Sequence, residues 1–80
     1  MLAEKDKQDY LTLFIIGQSE SPVGSGYLSR ELKTYGWDVS EATAGRILAQ
    51  LDNLGYTTKI GFQGRTLTAL GYAKLKELED

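Results

Sequence analysis

The 80-residue sequence contains no cysteine and no histidine, and no apolar run in it approaches the ~20 residues of a membrane span. The two missing residue types exclude disulfide bonds, the usual zinc, iron–sulfur and thiol sites, and catalysis that depends on imidazole. The N-terminus also lacks the basic and then apolar pattern of a signal peptide. We therefore predict a cytoplasmic protein that holds no cofactor or metal, catalyses no reaction and does not enter a membrane.

A net positive charge is also missing. Nine basic residues against 11 acidic ones give a net charge of −2 and an isoelectric point near 5.0. DNA-binding domains that act unaided are usually basic, because neutralising phosphates supplies much of their affinity. The charges are nevertheless segregated. Lys33, Arg46, Lys59 and Arg65 lie in the middle of the chain, whereas most acidic residues lie toward its ends.

The length allows one domain and a small core. A chain of this size buries only ~60–65% of the surface that it exposes when unfolded, so each apolar position matters. There is no room for a second domain or a deep substrate cleft. We therefore predict a single domain over residues 1–80.

The most informative segment runs from Ser40 to Leu67 and predicts a helix followed by a β-hairpin. Ser40 is a good N-cap residue, and Gly55 is placed to end the helix. Helical spacing between them predicts an inward stripe of Ala44, Ile47, Leu48, Leu51 and Leu54. Residues 56–60 are rich in aromatic and β-branched side chains, which favour a strand. A tight turn follows, in which Gly61 or Gly64 is expected to take a positive φ, and residues 65–67 return as the second strand.

Two further helices are predicted upstream of this segment. The first covers residues 6–18, and its apolar face is so wide that we expect it to pack on a second copy of the chain as well, giving a homodimer. That face consists of Tyr10, Leu11, Leu13, Phe14, Ile15 and Ile16. The second helix covers residues 26–35, with an N-cap offered by Gly24-Ser25 and with Gly36 at its end. Its inward residues are expected to be Leu28, Leu32 and Tyr35.

The remaining segments complete the order of elements. Trp37–Val39 is short and of alternating character, and we interpret it as a small strand that pairs with the hairpin. Thr68 is expected to cap a last helix over residues 69–79. Helix, helix, short strand, helix, hairpin and helix is the order of a winged helix-turn-helix. This is an α+β fold, mostly α, with a three-helix core, a β-hairpin wing and a C-terminal helix.

In such a fold the third helix can enter a major groove of double-stranded DNA. Arginine pairs with guanine, glutamine pairs with adenine, and threonine can touch a thymine methyl group. Helix N-termini attract phosphate oxygens, and wing residues contact phosphates or the minor groove. The predicted DNA-binding residues are Ser40, Thr43, Arg46, Gln50, Lys59, Gln63 and Arg65.

Other interpretations of these residues stay open. The outward face of the third helix, on which Gly45 and Ala49 are also expected, can simply be solvated, and capping alone explains Ser40. Arg65 can equally form an ion pair with Asp52 that pins the wing. A winged helix that binds protein and never touches DNA is favoured by the net acidity, by the small residues Gly45 and Ala49, and by Phe62 at the turn.

A pattern of turn residues, glycines and leucines extends over nearly the whole chain. It consists of Ser21-Pro22-Val23-Gly24, Leu32, Gly36, Ser40, Leu48, Leu51-Asp52, Gly55-Tyr56-Thr57, Gly61, Gly64-Arg65-Thr66-Leu67-Thr68, Gly71 and Leu75. With it, residues 10–78 resemble the winged-helix family named after ribonuclease R, also found at the front of archaeal nitrogen-regulation repressors. The resemblance implies the N-terminal DNA-binding module of a longer transcription regulator, joined to a C-terminal effector domain. By analogy with ribonuclease R, an RNA-side accessory domain of a nuclease is a further alternative.

Overall fold

The computed structural model describes residues 3–80, which form four helices and one antiparallel hairpin. The elements are α1 (Glu4–Gln18), α2 (Ser25–Thr34), α3 (Glu41–Asn53), β1 (Thr57–Ile60), β2 (Gly64–Leu67) and α4 (Ala69–Glu79). This is the predicted winged helix-turn-helix, mostly α, with the hairpin as its wing. No helix within residues 3–80 is both long enough and apolar enough to cross a bilayer.

Local signals in the sequence fix the ends of several helices. The Ser40 hydroxyl accepts a hydrogen bond from the Thr43 N–H at 3.1 Å, and the Thr68 hydroxyl accepts one from the Gly71 N–H at 3.0 Å. These are the predicted N-caps of α3 and α4. Gly36 and Gly55, with φ of 88° and 82°, end α2 and α3 as expected.

One apolar core joins the helices to the strand region. The buried apolar side chains are Leu13, Ile15, Ile16, Val23, Leu28, Leu32, Ala44, Leu48, Leu51 and Leu78. Thr12 is also fully buried. Its hydroxyl donates to the Gln8 carbonyl within α1 at 2.9 Å, so the buried polar group has a hydrogen-bond partner. The core side of α1 is therefore Thr12, Leu13, Ile15 and Ile16, while Tyr10 and Phe14 stack on each other and stay partly exposed.

The sequence interpretation of the third strand is wrong. Trp37–Val39 forms no strand, because its polar groups bond to α2: the Trp37 N–H donates to the Leu32 carbonyl, and the Val39 carbonyl accepts from the Ser29 hydroxyl. Val23 pairs with the wing instead. It exchanges two backbone hydrogen bonds with Arg65, at 2.8 and 2.9 Å, on the edge of β2 that β1 leaves free.

Three smaller expectations also need correction. Helix α2 begins at Ser25, one residue earlier than expected, so that Gly24 of the Gly24-Ser25 pair is its N-cap residue. Tyr35 and Leu54, predicted to face inward, are 52% and 49% exposed. Both lie at the end of a helix, where the chain turns at the following glycine before the periodic stripe can reach the core.

Candidate nucleic-acid interface

The surface of α3 that faces away from the core is open to solvent. Ala44, Leu48 and Leu51 point into the core, and within residues 3–80 the opposite side of the same helix stays exposed. Its exposed residues are Ala42, Arg46, Ala49, Gln50 and Asn53. The two alanines keep this surface low between the three longer polar side chains. The backbone of α3 can therefore come close to the floor of a broad groove, such as that of a nucleic-acid duplex.

The N-terminal end of α3 carries a short chain of hydrogen bonds between predicted site residues. The Ser40 hydroxyl donates to the Thr43 hydroxyl oxygen at 3.1 Å, and the same oxygen lies 3.5 Å from Nη2 of Arg46. Thr43 is half-buried, whereas Ser40 and Arg46 are exposed. The structure thus brings three of the predicted residues together, with the threonine as the link between a cap and a guanidinium group.

Arg46 is an exposed and unneutralised cation. Within residues 3–80 no carboxylate lies within 4.0 Å of its guanidinium group, and its hydrogen bond to Thr43 is at the long limit for such a bond. Gln50 follows four residues later on the same side of the helix. A planar five-donor group and an amide one turn apart are suited to bidentate contacts with base edges.

Gly45 does not belong to this open surface. A Cβ atom at Gly45 would lie 3.7 Å from the Cβ atom of Ser25, so the residue faces the start of α2. Glu41, one turn before Gly45 in α3, lies at the same contact. A Cβ atom added at Gly26 of α2 would lie 3.4 Å from Oε1 of Glu41. The small residues therefore allow α2 and α3 to pack closely, and a carboxylate of α3 lies over the N-terminus of α2, where the helix dipole favours negative charge. The expected position of Gly45 on the outward face of α3 is therefore wrong.

Sequence reasoning missed a contribution from α1. Lys5, Gln50, Asn53 and Leu54 line an open depression of about 310 Å³ between the start of α1 and the end of α3. Lys5 thus lies beside the candidate surface, although it also forms an exposed ion pair with Asp9 at 3.4 Å. Only the packing of α1 on the other helices brings this residue near α3, and no local pattern in the sequence indicates it.

The wing supplies the remaining predicted residues. Lys59 and Gln63 are exposed, and Lys59 stands directly opposite Arg65 in the strand register. Opposed residues of an antiparallel pair project to the same side of the sheet. No acidic residue occurs between Asp52 and Glu77, so the whole wing lies in a stretch whose only charged residues are lysine and arginine.

Arg65 forms the ion pair that the sequence left open. Its Nε and Nη2 atoms lie 3.2 and 3.1 Å from Oδ2 of Asp52, and the other carboxylate oxygen accepts from the Thr57 hydroxyl. Both side chains of the pair are largely covered, at 19% and 29% exposure. The pair ties β2 and β1 to the last turn of α3. Arg65 is therefore a structural link of the wing, and its predicted contact with DNA stays a prediction.

The comparison with protein families agrees with this architecture. The family described as the ribonuclease R winged-helix domain matches residues 11–75. The chain belongs to this family. The match begins in α1 and ends in α4, so it includes the helix-turn-helix, the wing and the Val23 strand position.

Relatives with curated names are archaeal regulators. The chain is 36% identical over 63 residues to the global nitrogen regulator NrpRI of Methanosarcina mazei, which covers 79% of this chain and 20% of the relative. It is 33% identical over 79 residues to the global nitrogen regulator NrpR of Methanocaldococcus jannaschii, covering 99% of this chain and 14% of the relative. A similar protein of Methanococcus maripaludis, with the same name, is 32% identical over 69 residues. The chain thus spans a fifth or less of the length of the first two.

Proposed function

We propose that this winged-helix domain binds double-stranded DNA as the DNA-binding module of a transcription regulator. Helix α3 lies in the major groove, and the wing lies along the flanking backbone. The observation that carries the proposal is the open surface of α3, where Arg46 is exposed and has no carboxylate partner among residues 3–80. The wing that follows α3 in the chain carries no acidic residue. The relatives are named as global nitrogen regulators, which supports a regulatory rather than a catalytic role.

Each site residue has a part in this proposal. Arg46 and Gln50 contact base edges, with guanine and adenine as their preferred partners, and Thr43 contacts a thymine methyl group. Ser40 lies at the N-terminus of α3, where backbone N–H groups attract a phosphate oxygen. Lys59 and Gln63 contact the flanking phosphates. Arg65 is engaged with Asp52 through Nε and Nη2, which leaves Nη1 for a phosphate.

The setting of the domain is part of the same proposal. Since the relatives are several times longer than the region they share with this chain, we propose that it forms the N-terminal part of a longer cytoplasmic regulator with a C-terminal effector domain. Dimerisation through α1, where Tyr10 and Phe14 stay partly exposed, would couple two half-sites into one stronger site and offset the weak overall charge. Sedimentation at increasing concentration tests this, and a strict monomer at all concentrations would contradict it.

A protein-binding role is the second candidate. The net charge of −2 opposes a polyanion at long range, and the fully exposed Phe62 is the kind of side chain that anchors a protein contact. In that case the surface of α3 would be solvated, and its substitution would leave partner binding unchanged.

The decisive experiment is selection from a random duplex library at low salt. The chain should enrich one sequence motif, and Arg46→Ala should weaken binding to that motif by ~1–3 kcal/mol and relax the preference at one position. Lys59→Ala should weaken binding evenly across sequences and lower the salt slope by ~1, because it removes a phosphate contact. Lys76→Ala, an exposed cation of α4, is the matched control and should leave both quantities unchanged.

Two results would contradict the proposal in different ways. If no duplex is enriched at low salt, by this chain or by a dimeric or longer form of it, DNA binding is wrong and the protein-binding role takes its place. If a motif is enriched but Arg46→Ala leaves affinity and preference unchanged, the domain binds DNA through another surface than α3.

A further inference from the structure

Phe62 is the most exposed large apolar side chain in the described part of the chain. Its relative exposure is 104%, whereas the other exposed large apolar residues range from 39% to 54% and keep about half of their surface covered. A fully exposed phenylalanine gains none of the ~1.5–3 kcal/mol that burial would supply. This small core leaves a large apolar side chain unused at the tip of the wing. We take this as an indication that Phe62 contacts a partner outside the chain.

The turn that presents Phe62 is closely defined by its backbone. The Gln63 N–H donates to the Ile60 carbonyl at 2.9 Å, and Gly61 and Gly64 take φ values of 51° and 133°, which side-chain-bearing residues rarely adopt. The backbone of the turn therefore holds Phe62 at the tip of the hairpin.

The base of the wing is held on both sides. Val23 bonds to the backbone of Arg65 on one edge, and Asp52 holds the side chains of Arg65 and Thr57 on the face toward α3. Because the wing is already held in place, binding a ligand through Phe62 costs little further conformational entropy, which favours binding.

The surroundings of the tip are suited to a polyanion. The segment from Asn53 to Lys76 contains no acidic residue, and the exposed Lys59 lies in β1, three residues before Phe62. Phosphate contacts by a lysine beside an apolar tip are the combination used by proteins that insert an apolar wedge into the minor groove and partly unstack one base step.

We infer that Phe62 is a minor-groove wedge. When α3 occupies the major groove, the wing reaches the adjacent minor groove and the phenyl ring enters between two stacked base pairs. This inference rests on the DNA-binding function proposed above and adds a source of specificity to it. Pyrimidine–purine steps such as TA and CA/TG unstack at the lowest cost, so the domain prefers such a step at the flank of its site, without any hydrogen bond to a base there.

The test uses the duplex that the chain enriches, with 2-aminopurine placed in turn at each flanking step. The fluorescence of this base rises when it unstacks. The wild-type chain should raise it at one flanking pyrimidine–purine step. Phe62→Ala should abolish the rise and weaken binding about tenfold, and Phe62→Leu should keep part of both effects. Since Phe62 is fully exposed, the unfolding midpoint of Phe62→Ala should equal that of the wild type.

Tyr35→Ala is the matched control, because Tyr35 is an exposed aromatic residue at the end of α2 and not on the wing. It should change neither fluorescence nor affinity. If the wild type binds its duplex but unstacks no flanking step, or if Phe62→Ala binds as tightly as the wild type, the wedge is wrong while the proposed DNA binding stands. If the wild type enriches no duplex, both are wrong, and a loss of protein-partner binding in Phe62→Ala would then identify the tip as a protein contact.

Discussion

The helical part of this domain and its wing are stabilised by different means. Helices α1 to α3 meet through fully buried leucine, isoleucine and alanine side chains, with Leu48 of α3 at 0% exposure. The wing has little apolar cover, since three of the four residues of β1 are exposed. It is attached by a backbone pairing with Val23, by the Asp52–Arg65 ion pair, and by glycines that let backbones approach closely.

This difference bears on how the two surfaces can act on a ligand. The helix surface is rigid as long as the core is intact, because close packing fixes it over many contacts. The wing depends on a few specific contacts, and the loss of any one of them should loosen it without unfolding the helices. Substitutions in the two parts should therefore differ in how much stability they remove and in which part of the domain they loosen. Three substitutions test this contrast.

The largest effect is expected from Leu48→Ala in the helical part. Removing a fully buried leucine side chain and leaving a cavity should lower the free energy of unfolding by about 3–5 kcal/mol. The free energy of unfolding of a domain of this size is only about 4–12 kcal/mol in total, so much of the stability would be lost. Leu54→Ala, at 49% exposure, is the control and should cost less than about 1 kcal/mol. Urea denaturation measures both, and equal losses would show that the core is not where the structure has it.

A smaller effect is expected from Gly64→Ala in the wing. A Cβ atom there would lie 2.5 Å from the carbonyl carbon of Val23, on a backbone with φ of 133°. Collision and strain together should cost about 2–3 kcal/mol. At Gly61, with φ of 51°, a Cβ atom would meet no atom of residues 3–80 within 4 Å, so Gly61→Ala should cost only the strain, about 1 kcal/mol. Thermal unfolding of the two variants measures the difference, and its absence would contradict the close Val23 contact.

The smallest effect is expected from Asp52→Ala. It leaves the Arg65 guanidinium group and the Thr57 hydroxyl without their acceptor in a largely covered site, which should cost about 1–2 kcal/mol. Glu77→Ala removes the carboxylate of a 3.8 Å pair with Lys74, in which Glu77 is 71% exposed, and should cost less than about 0.5 kcal/mol. Hydrogen exchange should also accelerate at the amides of Val23 and Arg65 in Asp52→Ala and stay unchanged in α3. Uniform acceleration would mean that wing and helices open together.

Much of the helical part was predictable because its signals are local. The N-caps Ser40 and Thr68, the helix stops Gly36 and Gly55, and the stripe of Ala44, Leu48 and Leu51 each depend on residues within a turn or two along the chain. The expected positive φ in the wing turn is confirmed at both Gly61 and Gly64. Local patterns failed at helix ends, where Tyr35 and Leu54 continue the period but lie outside the core.

The candidate surface divides in the same way. Helical period alone placed Arg46 and Gln50 on the exposed side of α3, because the opposite side is apolar. It could not place Gly45 against α2, nor Lys5 beside Gln50, since those contacts depend on how whole helices cross. For Arg65 the sequence allowed two partners, a phosphate or Asp52, and the fold brought Asp52 within 3.1 Å.

The sequence by itself determined the order of elements, the helix ends and the chemistry of the exposed side chains, since all of these follow from the residues' own conformational preferences and spacing. The tertiary structure alone decided that Val23 and not Trp37–Val39 completes the sheet, that Arg65 is neutralised, and that Phe62 projects from a firmly attached wing. The physical reason is distance along the chain. Val23, Asp52 and Arg65 meet only after the core of α1, α2 and α3 has brought three separate segments to one edge, and no local energy term along the sequence encodes that meeting.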